Sequence, residues 1–100
     1  MSVYLIIDIT IIDQDVYGEF VARVRPVVEK YGGRYLARSG EISVMVGNWR
    51  PELIVLIEFE TIDQVQEFFG SPEYLALVPL REKSATARAI IVEGSEYDLI

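Results

Sequence analysis

The chain contains no histidine and no cysteine. Without cysteine it has neither disulfides nor thiolate metal ligands, which is in keeping with a reducing compartment. Without histidine it lacks the side chain that titrates near neutral pH and the usual axial ligand of haem proteins, so a haem group is not expected. There is no phosphate-binding loop, and the longest apolar runs, such as Leu53 to Ile57, fall far below the ~20 residues that span a bilayer. The amino terminus has no basic region followed by a long apolar core. Basic residues are also scarce: nine against sixteen acidic ones, a net charge of -7. Such a field repels phosphate backbones and anionic lipid surfaces. These absences lead us to expect a cytoplasmic protein with no cofactor, no nucleic-acid partner and no membrane partner.

Apolar residues, by contrast, make up 51% of the 100 positions, and no linker or shift in composition divides them. One domain is expected over 1–100, with a core of about 3–94 and a tail from 95 onward. A chain of this length buries only roughly 60–65% of its unfolded surface by itself, which favours self-association.

Val3 to Ile12 alternates Leu5, Ile7, Ile9 and Ile11 with Tyr4, Ile6, Asp8 and Thr10, the period of a strand with two unlike faces. Asp13 offers a helix cap, and Tyr17, Phe20, Val21, Val24, Val27, Val28 and Tyr31 form one apolar stripe at helical spacing. Pro26 is expected to bend that helix. Gly32 and Gly33 end it, and Arg34 to Arg38 extends as a second strand. A turn at Ser39 to Glu41, a short extended arm at Ile42 to Val46 and a turn at Gly47 to Pro51 lead to an apolar third strand, Leu53 to Glu60. Thr61 to Gln64 has the form of a capping box and opens a short helix. Ser71-Pro72 restarts a helical turn, and Pro79 begins a helical or irregular stretch before a fourth strand, Arg88 to Glu93. This βαββαβ order predicts an α+β, ferredoxin-like plait: a four-stranded antiparallel sheet with two helices on one face.

Helices on one face leave the other bare. Alternation puts Tyr4, Ile6, Asp8 and Thr10, with Ile54, Leu56 and Glu58, on that bare side, too apolar a surface to remain in water. Two copies packing sheet against sheet would bury it, so a homodimer is expected. The same alternation places Arg34, Leu36 and Arg38, and Arg88, Ile90 and Val92, on that side. Glu58 is then expected to face Arg38, and Asp8 to face Arg88. Two readings of these charges stand: ion pairs that fix register or the dimer interface, or groups lining a small cavity in which a carboxylate moves a proton and an arginine holds an anion.

Asp13 to Tyr17, Tyr31-Gly32-Gly33-Arg34-Tyr35-Leu36, Gly47-Asn48-Trp49, Ile57-Glu58-Phe59, Ser71-Pro72-Glu73-Tyr74 and Leu80-Arg81-Glu82-Lys83-Ser84-Ala85 occur in order over Val3 to Gly94. In these motifs the chain resembles the small bacterial family known as domain of unknown function thirteen-thirty. The resemblance implies a dimeric α+β barrel, in which two plaits associate through their sheets. That superfamily holds cofactor-free monooxygenases, muconolactone isomerases, haem-dependent chlorite dismutases and ligand-sensing domains, so it transfers no single activity.

The candidate proton-transfer residues are Asp8 and Glu58; the candidate ligand contacts are Arg38, Arg81, Trp49, Tyr74 and Arg88. Arg81 could hold a carboxylate or bond carbonyls at a helix end, Trp49 could lid a pocket or pack over a hairpin, and Tyr74 could place its hydroxyl in the cavity or serve as a core aromatic. Asp13, Asp15 and Glu19 are better explained as favourable acids at a helix start than as a metal site, so no metal is expected. Tyr97, Leu99 and Ile100 could reach across the partner subunit. Three functions stay open: a dimer whose barrel cavity binds a small, partly apolar metabolite, with Arg38 or Arg81 meeting its polar end; a cofactor-independent isomerase or oxygenase with Asp8 or Glu58 as base; and a structural dimer with no ligand.

Overall fold

The computed structural model describes residues 2–38 and 40–94; the apolar end of the tail lies outside them. Four strands, β1 (Val3–Ile11), β2 (Arg34–Arg38), β3 (Leu53–Phe59) and β4 (Ala85–Glu93), alternate with three helices, α1 (Gln14–Lys30), α2 (Ile62–Gly70) and α3 (Pro72–Ser84). The sheet order is β2-β3-β1-β4, antiparallel throughout. This is the ferredoxin-like plait expected from the sequence. It carries three helices rather than two, and the sheet of one chain is open, with β2 and β4 as its edges, rather than closed into a barrel. No helix among the described residues is long and apolar enough to cross a membrane.

Each helix start follows from local chemistry. The Asp13 carboxylate accepts from the Val16 amide at 3.1 Å and caps α1. Thr61 and Gln64 form the reciprocal capping box of α2. Ser71 accepts from the Tyr74 amide ahead of a proline in the first turn of α3. The restarted turn and the stretch beyond Pro79 are therefore one helix, because packing outweighs the missing donor of an interior proline. Helix α1 likewise runs through Pro26. The fourth strand starts at Ala85, three residues earlier than alternation from Arg88 suggests, and the arm from Ile42 to Val46 forms no strand.

The reversal after α1 uses its two glycines differently. Gly32 adopts φ +91°, where a side chain would be strained. Gly33 is needed for space: a Cβ there would lie 2.6 Å from Val28 Cγ1 and 2.9 Å from the Phe59 ring. The core they close, with Val3, Leu5, Val28, Val55, Ile57, Phe59, Val65 and Phe68 at its centre, lies between the helices and one face of the sheet.

Candidate functional site

The odd-numbered residues of β1 point toward the helices and the even-numbered ones away, so chemistry on the two sides of the sheet is separated by the sheet itself. On the helix side there is a cleft of about 230 Å³. Alternate residues of β4 on this side are Ala85, Ala87 and Ala89, paired with Ile11, Ile9 and Ile7. Their small side chains leave space that larger ones would fill, and all three line the cleft.

The cleft is chemically polarised. Strands β1 and β2 end on the same side of the plait, where α1 starts and α3 finishes; the Ile12 and Asp13 amides donate to the Ser84 carbonyl at 2.7 and 3.0 Å. Tyr17, Arg38 and Arg81 line the cleft and come from these ends. The opposite end is aromatic, with Tyr74 at 4.9 Å from Phe68 and 5.2 Å from Phe69 between ring centroids. That end is anchored by Glu73, which accepts from the Tyr31 hydroxyl at 3.0 Å and pairs with Lys30.

Among the described residues no carboxylate lines the cleft, and Arg81 Nε is buried with no hydrogen-bond partner. A buried unpaired donor on a guanidinium is costly. Burial raises the Tyr17 phenol above its ordinary value, and the adjacent Arg38 offsets part of that rise. Burial does the same to Tyr35, offset by Arg38 and Arg25, the latter lying 5.2 Å over its ring. Both phenols are thus protonated donors at neutral pH.

The free face holds a different set. Asp8 and Arg88 sit opposite one another in the β1–β4 ladder and pair at 2.7 Å, while the Trp49 indole N–H donates to the same carboxylate oxygen at 3.0 Å. The hydrogen bond from Arg88, then that from Trp49, holds Asp8 below the usual carboxylate range. Trp49 is 57% exposed, and with Arg50, Pro51 and Glu52 it edges a second depression of about 580 Å³ over the ends of β1 and β4. Glu58 pairs with Arg34, and the Ser2 hydroxyl followed by Arg34 lowers it too.

The expected pairing of Glu58 with Arg38 does not form. A bulge between Tyr35 and Ala37 leaves Arg34 opposite Glu58 but returns Arg38 opposite Val55, on the helix side. One extra residue in β2 thereby moves a cation from the free face into the cleft. The seven residues singled out from the sequence thus fall into three groups: Arg38, Arg81 and Tyr74 in the cleft; Asp8, Trp49 and Arg88 at one corner of the free face; and Glu58 farther along that face. Sequence reasoning missed Tyr17, Tyr35 and the alanines. The alternation Ala85-Thr86-Ala87-Arg88-Ala89 carries the signal for the last, legible once the strand is begun at Ala85.

Comparison with solved structures places this arrangement among proteins of the same fold. A protein of unknown function from Rhodopseudomonas palustris superposes with a TM-score of 0.81 at 14% identity, over 96% of this chain and 84% of that one. SnoaB, a cofactor-independent oxygenase from Streptomyces nogalater, gives a TM-score of 0.67 at 11% identity, over 96% and 95%. A dimeric ferredoxin-like protein of unknown function from Thermobifida fusca gives 0.63 at 14%, over 92% and 90%. A comparison with curated protein sequences returns no match. The sequence profile of the domain of unknown function DUF1330 matches residues 2–95, nearly the full length of the motifs and of the plait that holds the cleft, and the chain belongs to this family.

Proposed function

We propose that the protein is a cytoplasmic homodimer, joined through the free faces of its sheets into an α+β barrel, that binds a small, partly apolar metabolite in the helix-side cleft of each subunit. The observation that carries this reading is the cleft itself, an apolar space of about 230 Å³ with Arg38 and Arg81 among its lining residues. The dimer is supported by the apolar residues of the free face, among them Ile90 at 60% and Val92 at 43% exposure, and by the dimeric relative from Thermobifida fusca. In this reading Asp8–Arg88 and Glu58–Arg34 are charge pairs that set the register of the two sheets, and Trp49 steadies that corner.

The test is a screen of small ring-bearing compounds by methyl NMR with sedimentation analysis. Fragments are expected to shift the methyl signals of Ile9, Val24 and Val55, and Ala89→Leu, which fills the cleft, is expected to abolish those shifts while the fold and the dimer persist. Unmoved methyl signals across the screen would overturn the binding reading, and a monomer at micromolar concentration would overturn the dimer.

A second reading, cofactor-independent isomerisation or oxygenation with Asp8 or Glu58 as base, is favoured by the fold shared with SnoaB. Both carboxylates lie across the sheet from the cleft and both are held ionised by their partners, which makes each a weak base. That reading predicts that Asp8→Asn or Glu58→Gln abolishes turnover of a substrate; unchanged turnover removes it.

A further inference from the structure

We infer that the cleft selects an organic anion, a ring-bearing monocarboxylate whose ring lies among Phe68, Phe69 and Tyr74 and whose carboxylate meets Tyr17, Arg38 and Arg81. This rests on the binding reading above and adds the chemical class of the ligand.

The charge inventory of the cleft is opposite to that of the whole protein. A chain of net charge -7 gathers two guanidiniums around one concave surface and, among the described residues, places no carboxylate on it. The described ion pairs all join an arginine or lysine to an acid outside the cleft: Arg23 with Glu19, Lys30 with Glu73, Arg34 with Glu58 and Arg88 with Asp8. The polar groups at this end of the cleft are N–H and O–H donors. Guanidinium nitrogens cannot accept, and the two buried phenols keep their protons. A set rich in donors, whose acceptors are two neutral phenol oxygens and no described carboxylate, is complementary to a ligand that brings acceptors and negative charge, and the fork geometry of arginine matches a carboxylate. A cationic ligand would meet like charge, and a neutral amide would bring hydrogens of its own against donors.

Position supports the same assignment. The polar groups collect at the end of the plait where β1 and β2 finish, and the aromatic groups at the start of α3, one helix length away. A molecule with an apolar ring at one end and a carboxylate at the other spans that polarity in one orientation. Arg38 reaches this end only because of the bulge in β2, and the alanines of β4 leave the width for a ring.

The experiment uses the dimer and a panel of benzoates, phenylacetates and cinnamates, each matched with its carboxamide and its amine, with affinities measured by NMR titration. Carboxylates are expected to bind about ten- to a hundred-fold more tightly than their amides, as charge-assisted hydrogen bonds in a desolvated site provide, and the amines are expected to bind weakest. Arg81→Gln should weaken the carboxylates far more than the amides and so remove most of the preference; Arg38→Gln, on a different element, should reduce the same preference and guards against a folding defect in the first variant. Equal affinity of acid and amide, or a preference that survives both substitutions, would overturn the anion assignment while leaving small-molecule binding in place. Absence of binding by every member of the panel would overturn the assignment, and methyl shifts from unrelated neutral fragments would then show whether the broader reading stands.

Discussion

The two faces of the sheet share the same strands and differ in what covers them. On the helix side β1 presents Val3, Leu5 and Ile9, all at 5% exposure or less, against the stripe of α1 and the phenylalanines of β3 and α2. On the free side Tyr4, Ile6 and Asp8 are only half-buried, with no helix over them and Trp49 over Asp8. The helix-side face is a packed core that leaves one deliberate space beside β4. The free face is an apolar surface punctuated by opposite charges. Ionic groups on this protein thus fall into two sets: acids that pair with arginines or lysine outside the cleft, and Arg38 and Arg81, which line the cleft with no acid among the described residues beside them.

The largest test of that contrast is a matched pair of core deletions. Phe59→Ala on the helix face should cost about 3–5 kcal/mol of unfolding free energy, whereas Leu56→Ala on the free face should leave the unfolding of a single subunit less affected and act chiefly on self-association; chemical denaturation at several protein concentrations separates the two. Next in size is the self-association itself. Ile6→Glu places an unpaired carboxylate at the centre of the free face and should weaken dimerisation by more than about a hundred-fold in sedimentation equilibrium, with ligand titration of the cleft unchanged. If the dimer survives this change, the free face is not the interface.

Gly33→Ala sharpens the comparison on the helix side. Its methyl group would press on Val28 and Phe59, and a loss of about 1–3 kcal/mol in stability is expected by thermal or chemical unfolding. The smallest effect belongs to the exposed charges. Asp8→Asn should change subunit stability by only about 0.2–1 kcal/mol, because the arginine partner is largely in solvent. Protonation should reproduce the sign. Asp8, Glu58 and Glu73 all have folded values below their ordinary ones, so their contribution is complete near neutral pH and is lost as pH falls from about 5 through the lowered values. Stability that rose on acidification in this range would contradict the pairings.

Much of the plait was legible in the residues because its signals are local. The period-two pattern of Val3 to Ile11, the Asp13, Thr61 and Ser71 caps and the Gly32-Gly33 reversal each depend on neighbours a few positions away. The opposition of Asp8 and Arg88 followed from alternation in two regular strands and strand order. The same reasoning misplaced Arg38, since a bulge is a pairing event between β2 and β3 that leaves no period of its own in five residues. It also divided α3 at Pro79, where packing holds a helix that propensity alone would break.

By itself the sequence determined the strand order along the chain, the helix starts, the sidedness of β1 and the surplus of acid over base, all of which reside in spacing and composition. Only the tertiary structure decided that Arg38 and Arg81 share a cleft with Tyr17, that no described acid joins them there, and that Ala85, Ala87 and Ala89 leave it open. Those facts depend on residues from β2, α1, α3 and β4 meeting across long stretches of chain. Contact of that kind is set by register and packing, to which the local pattern of any one segment is blind.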